Sequence, residues 1–392
     1  MNTIESLEVQ GQRVLLRLDL NLPLKDGKVE DDTRLTAALP TINALKDAGA
    51  KLIICSHLGR PRGQRVPKLS LMPVAEKLAE HMKDAEIFFA HDCIGEDVEF
   101  LSRELSPGNV MLIENLRFHK GESSNDKQFT SKLSKLADIY VNDAFGVLHR
   151  EHSSVTGVIP HMKSVAVGPL ILAETEALSK LKEHPARPYV AIIGGAKVSD
   201  KLKVLESLMT RVDTIVVGGA MAYTFLAAKG HEIGNSLVEP DKLNTAQKIM
   251  SKCAHRGVKL LLPIDHIVAN DTTSEPSTET YIPGDKAAYD IGPETINLFS
   301  EAISSAKTIF WNGPMGLTEV DAFGNGTRAI AKAVASADAY SVIGGGDSAA
   351  AANKLEITDS FSHISTGGGA SLCYIQGSPL PGLMAIEEVK ED

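Results

Sequence analysis

Short apolar runs rich in valine, isoleucine and leucine recur along the chain, and segments with a helical spacing of apolar residues separate them. The runs lie around residues 13–18, 51–56, 110–113, 138–142, 189–193, 213–217, 258–262, 307–311 and 340–343. Strands that alternate with helices are typical of parallel sheets that are covered on both faces. The pattern therefore predicts an α/β protein.

The clearest single unit lies between two Gly-Gly-Ala sequences, which end at Ala196 and Ala220. The segment between them carries one stripe of apolar residues at helical spacing: Val198, Leu202, Leu205, Met209 and Val212. We predict a strand, a crossover helix and a second parallel strand here.

The residues directly after the predicted strands differ between the two halves of the chain. In the first half the strands end in charged or polar groups, in the sequences RLDLN, SHLGR, ENLR and NDAFG. In the second half they end mainly in glycine, in the sequences IIGGAK, VVGGAM, WNGPMG, VIGGGD and STGGGA. Because open α/β sheets bind ligands at the carboxyl ends of their strands, we expect two binding surfaces, one rich in arginine and one built from backbone.

A chain of 392 residues is long for one domain. Residues 168–188 read as a helix that begins after Gly168 and Pro169 and stops before Pro185 and Pro188. We expect two doubly wound parallel-sheet domains, 1–170 and 188–377, joined by a hinge helix over 171–187. The tail, about 378–392, is expected to pack back on the first domain.

Charge and cysteine content narrow the functional classes. Lys and Arg number 40 against 50 Asp and Glu, a net charge of −10, which is the wrong sign for a general binder of nucleic acid or anionic membrane. Any bound anion must therefore be met by local positive groups. The four cysteines are widely spaced, the N-terminal residues lack the features of a signal peptide, and no run of about 18 apolar residues occurs. We expect a soluble, cytoplasmic protein.

Candidate binding residues in the first half are mostly cationic. Leucines alternate from Leu16 to Leu22, which predicts that Arg17, Asp19 and Asn21 share one side of a strand. Four arginines lie near strand ends or the loops after them, and a histidine joins them: Arg34, His57, Arg60, Arg117 and Arg150. Guanidinium groups converging there would bind a small polyanion. The alternatives are an edge strand with a solvated face, surface salt bridges and a structural histidine.

Candidates in the second half fit a phosphate chain. Lys197 and Lys201 are four residues apart at the start of a predicted helix, so we expect them to lie on one face of that helix. They would then lie near the positive end of the helix dipole, where phosphate binds. The alternative is a pair of solvated lysines, which would have the same spacing. Asp347 follows three glycines, where it would either cap a helix or hold the Mg²⁺ of a nucleotide. Neither a P-loop nor a GxGxxG fingerprint occurs, and the spacing of His149, Glu151 and His152 disfavours a metal site.

Taken together, the motifs resemble those of phosphoglycerate kinases, in order and over essentially the whole chain. The matching sequences are RLDLNLP (17–23), SHLGRP (56–61), ENLRFHKGE (114–122), NDAFGVLHREHSS (142–154), GGAKVSDK (194–201), FWNGPMG (310–316), GGGDS (344–348) and STGGGAS (365–371).

The resemblance implies reversible phosphoryl transfer from 1,3-bisphosphoglycerate to MgADP, giving 3-phosphoglycerate and MgATP. It implies a phosphoglycerate site formed by Asp19, Asn21, Arg34, His57, Leu58, Gly59, Arg60, Arg117 and Arg150. It implies a nucleotide site formed by Gly195, Lys201, Gly219, Asn312, Glu319, Gly345, Gly346, Asp347 and Ser348, with Asp347 engaging Mg²⁺. Arg34, Lys197 and Lys201 are the expected catalytic residues.

The resemblance also implies a monomer with small-molecule substrates. The acidic net charge argues against nucleic-acid or membrane partners. Because the two expected binding surfaces lie on different predicted domains, we also expect closure about the hinge helix. Three departures from the family pattern stand out: Thr318 where an aromatic residue is common, Leu172 and Ala173 in the linker, and Val147 and Leu148 before the fourth arginine. Two other classes are compatible with the strand pattern but fit the motifs less well. A hinged anion-binding protein leaves Lys197, Lys201 and Asp347 without a purpose, and a dinucleotide-dependent dehydrogenase lacks its fingerprint.

Overall fold

The structure is a computed structural model that describes residues 1–389. The strands are β1 (Arg13–Arg17), β2 (Leu24–Lys25), β3 (Lys28–Val29), β4 (Lys51–Cys55), β5 (Ile87–Ala90), β6 (Val110–Ile113), β7 (Ile139–Asn142), β8 (Ser164–Val167), β9 (Tyr189–Ile193), β10 (Thr214–Val217), β11 (Lys259–Leu261), β12 (His266–Ala269), β13 (Ser277–Glu279), β14 (Ala287–Ile291), β15 (Thr308–Asn312), β16 (Tyr340–Gly344) and β17 (His363–Ser365).

The helices are α1 (Thr33–Asp47), α2 (Met72–His81), α3 (Glu96–Glu104), α4 (Lys120–Ser124), α5 (Lys127–Ser134), α6 (Pro169–Lys180), α7 (Leu202–Leu208), α8 (Met221–Ala228), α9 (Leu243–Arg256), α10 (Pro293–Ser304), α11 (Asn325–Ala335), α12 (Gly346–Lys354), α13 (Gly369–Gln376) and α14 (Pro381–Glu388). Each of the apolar runs predicted as a strand forms one.

The chain divides into two compact units. The first comprises Met1–Thr175 together with the segment that starts at Pro379, and the second comprises Glu176–Ser378. The division falls within α6. Both units contain a mainly parallel sheet flanked by helices, so the predicted α/β class with two doubly wound sheets is confirmed.

The sheet of the first unit has the order β5-β6-β4-β1-β7-β8, and all its strand pairs are parallel. Val14, Leu15 and Leu16 of β1 are all fully buried, because helices cover both faces of the sheet. The order of strands reverses between β4 and β7, on the two sides of β1. The loops after these central strands meet at the switch point, where open α/β sheets bind ligands.

The sheet of the second unit has the order β11-β10-β9-β15-β16-β17, again with parallel pairs throughout. The glycine-rich loops after β9 and β15 lie at its switch point. A separate antiparallel sheet, β13-β12-β14, was not predicted, because its strands are only three to five residues long and their apolar runs are weak.

The crossover unit between β9 and β10 is confirmed, but its helix begins later than predicted. Helix α7 begins at Leu202, and residues 196–201 form bends and turns. The Ser199 backbone N–H and hydroxyl both donate to the Glu239 carboxylate, which holds this stretch outside the helix. Lys197 and Lys201 therefore do not share a helical face, and that prediction is wrong.

Helix α6 begins where Asp143 caps it. Asp143 Oδ1 accepts hydrogen bonds from the backbone N–H groups of Leu170 (2.9 Å) and Ile171 (3.1 Å). Gly168 allows this approach, since a Cβ atom there would lie 2.2 Å from the Asp143 carboxyl carbon. The helix ends at Lys180, whereas the hinge helix was expected to reach 187. Turn hydrogen bonds at residues 181–183 end it before Pro185, and a residue that precedes proline is disfavoured in helical conformation.

Helix α14 packs within the first unit although it comes from the end of the chain. The Gly382 N–H donates to the Leu148 carbonyl at 2.9 Å. A Cβ atom on Gly382 would lie 2.6 Å from a Val155 methyl group and 2.8 Å from a Leu148 methyl group, so only glycine allows this close contact. The segment thus supports the chain on both sides of Arg150.

Candidate active site

Arg17 is the centre of a polar network at the end of β1. It is fully buried, and it donates from Nε to Ser154 Oγ (3.0 Å) and from Nη2 to His57 Nδ1 (3.1 Å). Because arginine can only donate, His57 Nδ1 must accept, and the proton of the neutral ring lies on Nε2. Burial, and next the charge of Arg17, lowers the pKa of His57 well below its usual value. His57 therefore offers an uncharged N–H donor.

A carboxylate balances the buried Arg17 through a serine. Glu122 is fully buried and accepts from the Ser154 N–H (3.0 Å) and hydroxyl (2.7 Å), while Ser154 Oγ accepts from Arg17. His152 lies beside it, with Nδ1 3.7 Å from Glu122 Oε1. Burial, followed by the charges of Arg117 and Arg150, lowers the pKa of His152 to about 4. Two neutral histidines thus border this network.

Arg117 and Arg150 hold unsatisfied positive charge. Arg117 is only 9% exposed and donates from Nη1 to the Gly59 carbonyl (2.8 Å), while its buried Nη2 has no partner among the described residues. Burial and then Arg150 and Arg17 lower the pKa of Arg117 to about 10. Burial and then Arg60 lower the pKa of Arg150. Arg117 is buried and Arg150 is partly buried, and cations that repel one another while one keeps a free donor form a site for an anion.

Asp19 and Asn21 lie among these arginines. Asp19 Oδ2 accepts a hydrogen bond from Arg34 Nη1 (3.2 Å), and Asp19 Oδ1 is buried without a partner among the described residues. The charge of Asp19 opposes the effect of burial and raises the pKa values of Arg117 and Arg150. Asn21 Oδ1 accepts from the Gly59 N–H (2.8 Å), which fixes the loop after β4. We call Arg17, Arg34, Arg60, Arg117 and Arg150 the arginine cluster.

Several local expectations for this region were wrong. Strand β1 ends at Arg17, so Asp19 and Asn21 lie in the loop after it, and β1 is a central strand rather than an edge. The alternation nevertheless continues, because Leu18, Leu20 and Leu22 stay in the core. Arg34 lies in the first turn of α1 rather than at a strand end. The Leu58 side chain is buried in the core, which leaves only its backbone to meet a ligand.

Sequence reasoning also missed the supporting residues. Arg17, Glu122, Ser154 and His152 were not assigned to the site, although they lie in or beside the matched motifs. The alternation with leucine, which predicts Arg17 on the same side of the chain as Asp19, could have indicated that Arg17 belongs to the site. Nothing local indicated that Glu122 and Ser154, 32 residues apart, meet.

In the second unit, three glycine loops pack against one another. Gly195 and Gly219 have φ values of +120° and +67°, and a Cβ atom on Gly219 would lie 2.6 Å from the Gly195 nitrogen. The Gly195 and Gly219 N–H groups donate to the carbonyls of Pro314 (3.1 Å) and Met315 (2.9 Å). These loops follow β9, β10 and β15. Their packing leaves backbone without side chains at the switch point, which permits close approach of a ligand.

Lys201 and Asn312 link the first of these loops to the strand ends. Lys201 Nζ donates to Asn312 Oδ1, and Asn312 Nδ2 donates to the Gly344 carbonyl (2.5 Å). Ser348 Oγ accepts from the Gly313 N–H (2.8 Å). Burial lowers the pKa of Lys201, while Asp200 and Asp347 oppose that effect. Lys201 is thus fixed near Asp347, whereas Lys197 is exposed and makes no ion pair among residues 1–389.

Asp347 lies in the first turn of α12 without capping it. Gly345 occupies the N-cap position with φ +105°, Gly346 begins the helix, and no side chain caps it. The Asp347 carboxylate is exposed. The capping alternative is therefore wrong, and the carboxylate stands free beside a helix N-terminus.

Glu319 is exposed in the segment after β15, and Thr318 before it lines a cavity of about 140 Å³ that also reaches Asp347. The small threonine side chain contributes to this space, since an aromatic side chain at 318 would occupy more of it. The departure at Thr318 therefore lies next to the candidate nucleotide residues.

Known proteins of one family resemble this chain over almost its whole length. A family model described as phosphoglycerate kinase matches residues 4–378. The chain belongs to the phosphoglycerate kinase family. It is 48% identical over 391 residues to a phosphoglycerate kinase of Clostridium novyi (strain NT), covering 98% of both chains, and 48% identical over 392 residues to one of Clostridium botulinum (strain 657 / Type Ba4), again covering 98% of each.

Solved structures give the same answer. The phosphoglycerate kinase of Coxiella burnetii matches with a TM-score of 0.87 at 39% identity over 99% of both chains. That of Pyrococcus horikoshii OT3 matches with a TM-score of 0.84 at 33% identity, covering 99% of this chain and 98% of the other. This member of the phosphoglycerate kinase family is a phosphotransferase. Within residues 1–389, no helix combines the length and apolarity that crossing a bilayer requires.

Proposed function

We propose that this chain transfers a phosphoryl group reversibly between 1,3-bisphosphoglycerate and MgADP, giving 3-phosphoglycerate and MgATP. The observation that carries the proposal is the arginine cluster, in which Arg117 keeps a buried donor without a partner among residues 1–389. A small, highly charged anion satisfies that donor and relieves the repulsion among the arginines.

The phosphoglycerate side of the proposal uses residues with different roles. Arg60, Arg117 and Arg150 bind the phosphate. Asp19 and Asn21 bind the hydroxyl group, and His57 donates from Nε2. The backbone of Leu58 and Gly59 shapes the loop, because Asn21 and Arg117 both hold Gly59.

The nucleotide side uses the glycine loops and the residues around α12. Gly195 and Gly219 allow close approach of the nucleotide, Lys201 and Asn312 meet its phosphates, and Glu319 binds the sugar. Gly345, Gly346 and Ser348 form the turn that begins α12, whose free N–H groups favour an anion.

Asp347 fits the role of a magnesium ligand. Its carboxylate is exposed, takes no part in capping and interacts electrostatically with Lys201. Mg²⁺ is commonly held by one or two carboxylates together with substrate phosphates. When bound with the nucleotide, Mg²⁺ supplies positive charge to the phosphate oxygens.

The chemistry needs no general base. The attacking group in the direction of ATP use is the carboxylate of 3-phosphoglycerate, which is already ionised at neutral pH. Catalysis then consists of alignment and of stabilising charge on the transferring group. We assign that stabilisation to Arg34 from the first unit and to Lys197 and Lys201 from the second. The free charge of Lys197 suits this role.

We further propose domain limits of 1–170 and 188–377, with the tail from about 378 joining the first domain. We also propose closure about the segment 171–187, because phosphoryl transfer requires the two substrates to meet away from water. Compaction in small-angle scattering with both substrates bound tests closure. The four cysteines are free, as suits a reducing compartment, and together with the family's metabolic reaction this supports a cytoplasmic enzyme. We propose that it acts as a monomer on small molecules alone.

A coupled assay of ATP consumption with 3-phosphoglycerate tests the function. We expect Arg34→Ala and Lys197→Ala each to lower kcat by about 10²-fold or more, since one preorganised donor contributes about that much. Arg103→Ala and Lys203→Ala, at exposed positions on α3 and α7, serve as matched controls and keep full activity. Wild-type rates in both test variants contradict the role assignments, and no ATP consumption by the wild type contradicts the proposed reaction.

A further inference from the structure

A second group of ligand-type side chains lies at the outer end of the first sheet. Asp92 and Cys93 follow β5, and His119 follows β6 by way of the turn 116–118. One donor atom from each lies within 4.8 Å of the other two, and no other such group of His, Cys, Asp and Glu occurs in residues 1–389. None of the three belongs to the proposed catalytic machinery.

The donor atoms match a thiophilic divalent cation. Thiolate sulfur, imidazole nitrogen and carboxylate oxygen are the ligands that Zn²⁺ takes, whereas Mg²⁺ prefers oxygen alone. Zinc bonds of about 2.0–2.3 Å in tetrahedral geometry separate the ligand atoms by about 3.3–3.8 Å. The His119 Nε2 to Asp92 Oδ1 distance is now 2.7 Å. An opening of about half an ångström therefore suffices on that edge.

The loops hold the donors in place without blocking access. The His119 ring packs on Phe129 with centroids 5.3 Å apart, and the Cys93 N–H donates to Asp92 Oδ1 at 2.7 Å. Cys93 is fully buried, while the side chains of Asp92 and His119 are 41% and 31% exposed. A cation thus approaches past the two exposed ligands and meets the thiol beneath them.

We propose that Asp92, Cys93 and His119 bind one zinc-class divalent cation through an Asp92 oxygen, Cys93 Sγ and His119 Nε2, with water in the fourth position. Binding replaces the hydrogen bond between His119 and Asp92, moves the ring proton to Nδ1 and releases the thiol proton to solvent. Affinity therefore rises with pH.

The site is reversible rather than essential for folding. Without metal, Asp92 already accepts from His119 and lies 4.0 Å from the Arg65 guanidinium, so no charge is left uncompensated. Arg65 also donates to the His91 carbonyl and lies over the Phe118 ring, which keeps it nearby when the cation enters. Its positive charge makes binding weaker than at a structural zinc site.

The test uses the full chain without an affinity tag, stripped of metal and titrated with Co²⁺. We expect one equivalent to produce thiolate-to-cobalt charge-transfer absorption with the visible bands of tetrahedral cobalt, and Zn²⁺ to abolish both. Cys93→Ser removes the charge-transfer band. His119→Gln weakens Co²⁺ binding by about tenfold or more, because losing a ligand costs at least as much affinity as losing a residue that only orients one. Cys253→Ser, at a buried cysteine of α9, is the matched control and leaves the titration unchanged.

The proposal is overturned if the wild type shows no thiolate band or if the band persists in Cys93→Ser. Should Cys93→Ser not fold, His119→Gln and Asp92→Asn decide, because both side chains are partly exposed and their replacement leaves the core intact. Unchanged Co²⁺ affinity in both of those variants also overturns it. The measurement does not depend on kinase activity, so it stands apart from the proposed function.

Discussion

Removing Arg117 should cost little stability although the residue is buried and hydrogen-bonded. Its pKa is lowered from 12.5 to about 10 by burial and by Arg150 and Arg17. That difference corresponds to about 3 kcal/mol against the charged state, and solvent screening reduces it to about 2 kcal/mol. Removing the charge recovers this free energy.

The opposing contribution is the hydrogen bond from Arg117 Nη1 to the Gly59 carbonyl, 2.8 Å long. Hydrogen bonds from charged donors contribute about 1.5–3 kcal/mol. The two effects nearly cancel, so Arg117→Met should change the free energy of unfolding by no more than about 1 kcal/mol. Breaking an ordinary buried ion pair costs about 3–5 kcal/mol, which makes the two expectations distinguishable.

Substrate binding, unlike stability, should change strongly when Arg117 is replaced. Under the proposed function, Arg117 contributes a charge-assisted hydrogen bond to the phosphate of 3-phosphoglycerate. Its loss should raise the KM for 3-phosphoglycerate by about 10- to 150-fold and leave the KM for ATP unchanged. The stabilisation that 3-phosphoglycerate gives against thermal unfolding should fall with it.

The assay combines denaturant unfolding with steady-state kinetics, and Arg103→Met on the exposed face of α3 is the matched control. Because the chain has two units, unfolding is followed with probes in each of them rather than as one transition. A loss of about 3 kcal/mol or more in Arg117→Met, with the KM for 3-phosphoglycerate unchanged, would refute the reasoning. It would mean that Arg117 is structural and that the arginine cluster is not strained.

Three further predictions concern other parts of the molecule. Gly219→Ala should raise the KM for nucleotide by about tenfold or more, because its Cβ atom would meet the Gly195 backbone at 2.6 Å. Gly230→Ala, at φ +88° with nothing within 4 Å, isolates the effect of backbone conformation, and an equal rise there contradicts the explanation. Asp290, buried and accepting from the Gly326 N–H (2.7 Å), has its pKa raised by burial to about 7. Because the pKa of Asp290 is higher in the folded state than in the unfolded state, the wild type should lose stability relative to Asp290→Asn as pH rises from about 4 to about 7. The loss should be at most about 4 kcal/mol. Denaturant unfolding measures it, and a difference between the two proteins that does not depend on pH would refute the prediction. Asp143→Ala should destabilise the first unit by about 1–2 kcal/mol, because α6 loses its cap, and Asp143→Asn should recover part of that stability. If thermal unfolding shows both variants to be as stable as the wild type, the capping role is contradicted.

The sequence predicted the central strands well because they are buried on both faces and read as continuous apolar runs. It missed β5 and β8, which lie at the two edges of the first sheet, the two-residue strands β2 and β3, and also β12, β13 and β14. These strands are short, and several carry polar or half-buried residues, so their apolar signal is weak. Strand order is absent from local patterning, because pairing depends on which helices cover which face.

For the candidate site, residue types were easier to predict than geometry. The arginines could be selected because guanidinium groups near strand ends indicate an anion site, and the structure brings them around Asp19. The position of Lys197 could not be predicted, because the contact of Ser199 with Glu239, 40 residues away, sets where α7 begins. Likewise, the neutral state of His57 depends on burial and on Arg17, which no spacing reveals.

Helix α14 gives the first unit an unusual order of assembly. On the ribosome, residues 1–175 emerge long before the segment from Pro379, yet they meet Gly382 in the finished fold. The Leu148 carbonyl and the methyl groups near it stay uncovered until the whole second unit has been synthesised. The loop that carries Arg150 therefore reaches its final support only after the second unit has been made, although that loop belongs to the part of the protein that is made first.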